Sequence, residues 1–103
     1  MQTIAILQNN LNKSQHNNHS ILNDSISSKY AILMVQEQFF STYTNSSLTH
    51  HSWTLIESKS MENNPLWAAI YINKTILPAH SYEPVHMETL DTVAIVLQLD
   101  QEQ

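Results

Sequence analysis

The stretch Ala31–Glu37, with the sequence Ala-Ile-Leu-Met-Val-Gln-Glu, begins with an unbroken apolar run that ends at Gln36 and Glu37. The run is too short to show a 3.6-residue helical period and has the length of a β-strand. Because strand side chains alternate between the two faces of a sheet, a solid apolar run predicts a strand covered on both sides. We therefore interpret Ala31–Gln36 as a central strand of an α/β layer.

Glu37 follows this strand at the point where the chain leaves the predicted core. Open α/β sheets bind their ligands at the carboxyl ends of their strands, so a carboxylate here is well placed for chemistry. The alternative is that Glu37 only marks the position at which the strand reaches water, as most carboxylates do.

Composition limits the classes of protein to be considered. The chain has 103 residues, which fits one domain spanning 1–103, and its net charge of −5 predicts no basic surface for nucleic acid. The absence of Cys excludes disulfides, a thiol nucleophile and a zinc–thiolate site. The start of the chain lacks the charge of a secretory signal, and no apolar run approaches the ~20 residues of a membrane span. We expect an intracellular protein with no membrane partner.

Glycine is also absent. A chain of this size would carry about seven glycines at average usage. Turns that need a positive φ must therefore use Asn or Asp, and Asn is plentiful here.

The segment before the central strand predicts a strand followed by a helix. Thr3–Gln8 is rich in β-forming residues and apolar on both faces, and a turn-forming cluster, Asn9–Asn12, follows it. Ser14–Lys29 contains one apolar stripe of helical spacing (Ile21, Leu22 and Ile26), with Ser14 or Asn12 as the N-cap.

Strand, helix and strand together form a βαβ unit, whose two strands are parallel and whose crossover is right-handed in nearly all proteins. Parallel strands end at the same edge of a sheet. Asn10, Asn12 and Glu37 are therefore predicted to lie together, although they are distant in the sequence.

The remainder of the chain predicts antiparallel strands. An eight-residue loop between the third and fourth strands suits a hairpin. The predicted elements are a loop (Gln38–Ser52), a third strand (Trp53–Glu57), a loop (Ser58–Pro65), a fourth strand (Leu66–Asn73), a long connection with a short edge strand (Lys74–Asp91) and a fifth strand (Thr92–Leu99).

These motifs, in this order, resemble the endonuclease/exonuclease/phosphatase family, and most of all the endonuclease domain of non-LTR retrotransposons. Leu7–Ser14 fits the family motif Leu-Gln-x-Asn-hydrophobic-Asn-Arg/Lys-Ser, and Val35–Glu37 followed by Phe39 fits its hydrophobic-Gln-Glu motif. Each motif is short, but the resemblance spans essentially the whole chain. Further counterparts are Ser52–Ile56, Ile70–Lys74 and Asp91–Ile95.

The resemblance implies an α/β (α+β) fold, namely the N-terminal half of the two-sheet α/β sandwich of DNase-like nucleases. That half is a βαβ unit followed by antiparallel strands, and the family domain is longer than this chain. The sheet face that would meet the second sheet is expected to present Val, Ile and Leu to water. Such a face would favour self-association.

The resemblance also implies metal-assisted phosphodiester hydrolysis. It makes Glu37 the carboxylate that binds Mg²⁺ or Mn²⁺, Asn10 a catalytic amide that orients metal or phosphate, and Asn12 a second metal ligand. Mg²⁺ takes hard oxygen ligands and keeps most of its waters, so one or two carboxylates suffice. Gln36 is either a supporting residue or a solvent contact at the end of the strand.

The family's acid–base machinery has no counterpart in the sequence. No Asp-x-Asn and no Ser-Asp-His triplet occurs, and none of the six His residues lies in a matching motif. His50 and His51 are interpreted as a solvated loop pair. We therefore expect a truncated endonuclease domain of retroelement origin that is inactive alone, whose full-length relatives bind DNA and act in the nucleus. The alternative is a non-enzymatic α/β interaction module.

Overall fold

Four strands form a mixed sheet in the order β1-β2-β6-β5. The structure, a computed structural model, describes residues 4–12, 14–24, 29–37, 40–41, 46–57, 68–85 and 93–98. In chain order the elements are β1 (Ile6–Asn10), α1 (Gln15–Asn23), β2 (Ile32–Gln36), β3 (Phe40–Ser41), β4 (Ser46–Ser47), β5 (Trp53–Glu57), β6 (Ala68–Asn73), a 3₁₀ helix (Ala79–Ser81), β7 (Tyr82–Val85) and β8 (Ala94–Leu97). The protein is therefore a mixed α/β fold.

The predicted βαβ unit is present. β1 and β2 are parallel, with Ile6 opposite Ile32 and Asn10 opposite Gln36, and α1 lies between them in the sequence. Ser14 is the N-cap of α1, because its Oγ accepts a hydrogen bond from the Asn17 backbone N–H at 3.1 Å. This confirms one of the two predicted caps.

The central position of β2 is also confirmed. β2 pairs with β1 on one side and with β6 on the other, and β6 forms the predicted antiparallel hairpin with β5. Ile32, Leu33 and Val35 are buried, as a strand covered on both faces requires. Met34 departs from the prediction because 39% of its surface is exposed.

One face of the sheet packs on α1. Ile21 and Leu22 of the helix bury their side chains against Leu33 and Val35 of β2 and Tyr71 of β6. The indole N–H of Trp53 donates to the Leu22 backbone oxygen at 3.0 Å, which ties the last turn of the helix to the far strand of the sheet. A helix of low intrinsic propensity is thus held by packing.

The opposite face is covered by the two-stranded sheet of β7 and β8. Ile32, Ile70 and Ile72 are buried in a second apolar cluster, to which Tyr82 and Ile95 of the covering sheet contribute. The expectation that this face would present its Val, Ile and Leu residues to water is therefore wrong for Ile32, Ile70 and Ile72. It holds for Ile6 of β1, which is 49% exposed.

Several predicted boundaries also require correction. β1 runs from Ile6 to Asn10 instead of ending at Gln8, because the ladder to β2 extends through the polar residues Asn9 and Asn10. α1 ends at Asn23, where the chain turns extended at Asp24, instead of continuing towards Lys29. The loop predicted over Gln38–Ser52 contains the short β3–β4 hairpin.

Other predictions are confirmed or lie in part outside the described residues. β5 has the predicted bounds, and β7 is the predicted short edge strand, which suits Pro84 because proline lacks a backbone donor. β6 ends at Asn73 as predicted, and its predicted start at Leu66 lies outside the described residues. β8 is shorter than the predicted Thr92–Leu99, because Val93 and Gln98 are not part of the strand. The loop Ser58–Pro65 and the residues Thr3, Ile26 and Phe39 also lie outside the described residues.

Candidate functional site

The carboxyl ends of β1 and β2 meet at one edge of the sheet, as predicted. Asn10 and Gln36 are Cα partners at the ends of their strands, and the Leu11 backbone N–H donates to the Gln36 oxygen at 2.9 Å. The Leu11 side chain is buried in the core beneath α1. Because Leu11 is anchored, its polar neighbours Asn10 and Asn12 are held at this edge of the sheet, which we call the rim.

A direct hydrogen bond joins the first two predicted site residues. The Asn10 side-chain amide donates through Nδ2 to Glu37 Oε2 at 2.7 Å, across 27 residues of sequence. The other end of the same amide, Oδ1, accepts from the Asn12 backbone N–H at 2.9 Å. Asn10 is thus engaged at both ends, so it positions Glu37 and the turn that contains Asn12.

Asn12 and Glu37 both adopt the left-handed backbone conformation, with φ of 52° and 51°. Asn12 fulfils the expectation that Asn replaces glycine in such turns. Glu37 does not, because a left-handed conformation is uncommon for a residue with a long side chain and costs of the order of 1 kcal/mol or more. A strained residue at the end of a central strand, held by a neighbouring amide, is a candidate for function.

This strain gives a measurable prediction. We expect the Glu37→Gly variant to be more stable than Glu37→Ala by about 1 kcal/mol, because both lose the carboxylate but only glycine adopts a positive φ freely. Chemical denaturation of the two variants measures the difference. In the interior of a strand, Ala is more stabilising than Gly. A Glu37→Ala variant that is at least as stable as Glu37→Gly would therefore contradict the positive φ of Glu37.

The other two predicted residues lie at the same rim in different roles. Asn12 is exposed at the turn that follows β1. Gln36 is the exposed last residue of β2, and it lines a cleft of ≈ 160 Å³ with Gln8, Met34 and Val93 between the sheet and the start of β8. This position does not decide whether Gln36 is a supporting residue or a solvent contact at the end of the strand.

The donor set at this rim suits a weakly held divalent cation better than a caged one. Glu37 supplies a carboxylate and Asn12 an exposed amide, both with hard oxygen atoms of the kind that Mg²⁺ prefers. Among the described residues, no group of three or more His, Asp or Glu side chains could hold a metal ion. Glu37 and Asn12 are thus the oxygen donors that this edge of the sheet offers.

Comparison with protein-family models, curated proteins and solved structures finds no match to this chain. Within the described residues, no helix is both long enough and apolar enough to cross a membrane.

A second polar cluster lies at the opposite edge of the sheet and was not predicted. His50 precedes β5, and its ring Nε2 lies 2.9 Å from Asn23 Oδ1 at the end of α1, while its Nδ1 accepts from the Ser52 backbone N–H at 3.0 Å. Partial burial, and then the neighbouring His51 and His19, lower the pKa of His50 from its ordinary value of 6.5. His50 and His51 do form a pair in the loop, with ring centroids 4.4 Å apart, but His50 is partly buried and has hydrogen-bond partners that no local sequence pattern indicates.

Proposed function

We propose that this chain carries the metal-carboxylate part of a phosphodiester-cleaving pocket of the endonuclease/exonuclease/phosphatase type, of retroelement origin, and that it is not an efficient nuclease alone. The observation that carries the proposal is the 2.7 Å hydrogen bond between Asn10 and Glu37 at the carboxyl ends of two parallel strands. The order of motifs along the sequence supports the same function.

In this proposal Glu37 is the ligand of Mg²⁺ or Mn²⁺, and Asn12 contributes an amide oxygen. The ion, when bound, would offset negative charge on the scissile phosphate and on the leaving oxygen. Asn10 is a positioning residue, because its amide nitrogen fixes the carboxylate and its oxygen fixes the turn at Asn12. Gln36 supports the strand end to which Glu37 is attached.

The expected lack of efficient cleavage follows from the groups that the sequence lacks. General acid–base assistance is worth about 10²–10⁴ in rate. The chain contains neither of the family motifs that supply it, and the net charge of −5 gives no general attraction for a nucleic-acid backbone. DNA as a partner, and a nuclear location, are accordingly proposed for a longer protein that would contain this domain.

The alternative function is a non-enzymatic interaction module. The engagement of Asn10 at both ends favours it, because the same hydrogen bonds would simply close the ends of two strands. Cation binding separates the two functions: the nuclease-type site requires weak Mn²⁺ or Mg²⁺ binding that depends on Glu37, and the interaction module requires none.

We expect Mn²⁺ to broaden the NMR signals of residues 10–12 and 36–37 before those of the other described residues. The Glu37→Gln variant should lose this effect, because a neutral amide is a poor ligand for a hard cation. The matched control is Glu83→Gln, which removes the same charge from an exposed position on β7. Broadening that survives Glu37→Gln, or that is lost equally in the control, would favour the interaction module.

The expected lack of activity is tested separately with supercoiled plasmid and Mg²⁺. We expect no nicking above background. A steady nicking rate that Glu37→Ala abolishes would show that the chain cleaves phosphodiesters without the missing motifs.

A further inference from the structure

The polar cluster around His50 connects two elements that are otherwise joined mainly by apolar packing. His50 lies in the loop before β5, and Asn23 is the last residue of α1. The Asn23 amide also donates through Nδ2 to the His19 backbone oxygen at 2.7 Å, so its Oδ1 is presented to His50 in a fixed orientation. His50 therefore completes a chain of hydrogen bonds from the helix to the strand.

The two partners of His50 define the state of its ring. A backbone N–H can only donate, so Nδ1 must be an unprotonated acceptor for the hydrogen bond from Ser52. Nε2 then carries the proton and donates to Asn23 Oδ1. The observed contacts require the neutral ring, because a proton on Nδ1 would face the Ser52 N–H and remove that hydrogen bond.

We propose that His50 is a pH-sensitive latch for the turn that precedes β5: protonation of Nδ1 removes the hydrogen bond from the Ser52 backbone, while Nε2–H still donates to Asn23 at the end of α1. The latch contacts belong to described residues on both elements and do not involve Glu37 or its rim. The proposal is therefore independent of the proposed nuclease-type function.

Three charged or titratable residues lie around His50 among the described residues. α1 contributes His19, and Asp24, which follows the helix, lines a cleft of ≈ 430 Å³ together with His50. On the loop, the His51 ring stacks on His50 with centroids 4.4 Å apart. The other residues lining the cleft, which include Trp53 of β5 and Asn73 of β6, carry no charge. Positive charge on the two neighbouring histidines would oppose a third.

The direction of the pH dependence follows from the lowered pKa of His50. Its unfolded-state value is the ordinary 6.5, so the stabilisation is fully present above that pH. The stabilisation is lost as the pH falls below 6.5 and then through the pKa that His50 has in the folded protein. Acidification should thus loosen the turn between His50 and β5, and the effect lies within the pH range in which histidine is the usual switch.

The test follows the Ser52 amide and the His50 ring by NMR on the full chain from about pH 7.5 to about pH 5. We expect an Nε2–H tautomer at the upper end, and loss of the hydrogen-exchange protection of the Ser52 amide as the ring titrates. The His50→Asn variant should keep the protection throughout, because the Asn oxygen can accept from the amide two residues on and does not titrate. The control His51→Asn should still lose the protection as the His50 ring titrates, but at a higher pH, because the neighbouring imidazole that lowers the pKa of His50 is gone.

Two results would overturn the proposal. One is a Ser52 amide that stays protected after the His50 ring has gained its proton. The other is a His50→Asn variant that loses protection over the same pH range as the wild type. If His50→Asn does not fold, the wild-type ring titration and the Ser52 protection still decide between a latch and a passive contact.

Discussion

Replacing Leu33 by Ala should lower the free energy of unfolding by about 2–5 kcal/mol. Leu33 is fully buried in β2, where it packs in the apolar cluster between the sheet and α1. Truncating it removes apolar burial and leaves a cavity at the centre of the βαβ unit. A loss of this size is a large fraction of the stability of a domain of about 100 residues, and chemical denaturation measures it.

The control for this prediction is the adjacent residue. Met34 belongs to the same strand but points to the other face, where 39% of its surface is exposed. Met34→Ala should therefore cost about 1 kcal/mol or less. Equal losses in the two variants would mean that β2 is not oriented with Leu33 towards the helix.

The Tyr71→Phe variant should lose about 1–3 kcal/mol of unfolding free energy, although it removes a single oxygen atom. Tyr71 is fully buried in β6, and its hydroxyl donates to the Leu48 backbone oxygen at 2.6 Å. Asn18, which is itself fully buried on α1, lies close enough to the phenol to influence its pKa. Phenylalanine would leave the Leu48 backbone oxygen without the Tyr71 donor.

Tyr71 also predicts how the protein responds to alkali. Burial raises the pKa of Tyr71 from 10.0 to about 12, with the Asn18 side chain acting in the opposite direction and Glu57 adding to the increase. Because the folded-state value is raised, this contribution to stability is complete below pH 10.0 and is lost as the pH rises towards about 12.

Denaturation over that pH range tests the assignment. The wild type should lose stability between pH 10.0 and about 12, and Tyr71→Phe should lose less, since it has no phenol to ionise. The control is Tyr82→Phe on β7, whose ring is only partly buried. Identical alkaline profiles for the wild type and Tyr71→Phe would contradict the buried phenol.

The sequence predicted the βαβ unit because its signals are local and follow general rules. The apolar run of β2 and the Ser14 cap identify a strand and a helix start, and parallel strands then have to end at one edge of the sheet. The proximity of Asn10 and Glu37 was thus predictable from topology. Their hydrogen bond was not, because it depends on side-chain rotamers and on the positive φ of Glu37.

Other features depend on contacts between distant segments, which a single sequence does not reveal. The covering of Ile32, Ile70 and Ile72 by β7 and β8 requires knowledge of where the second hairpin docks. The partners of His50 belong to α1 and to the backbone of its own loop, and histidine has no preference that would indicate them. These are tertiary effects that override or supplement local patterns.

The strand order β1-β2-β6-β5 also determines when the fold can be completed during synthesis. The inner partner of β2 is β6, and the hydrogen bond from Asn73 Nδ2 to the Tyr30 oxygen joins residues 43 positions apart. On the ribosome, β1, α1 and β2 therefore emerge well before the strand that completes the sheet beside them. During that interval the edge of β2 that later pairs with β6 is free, and unpaired strand edges of this kind favour aggregation.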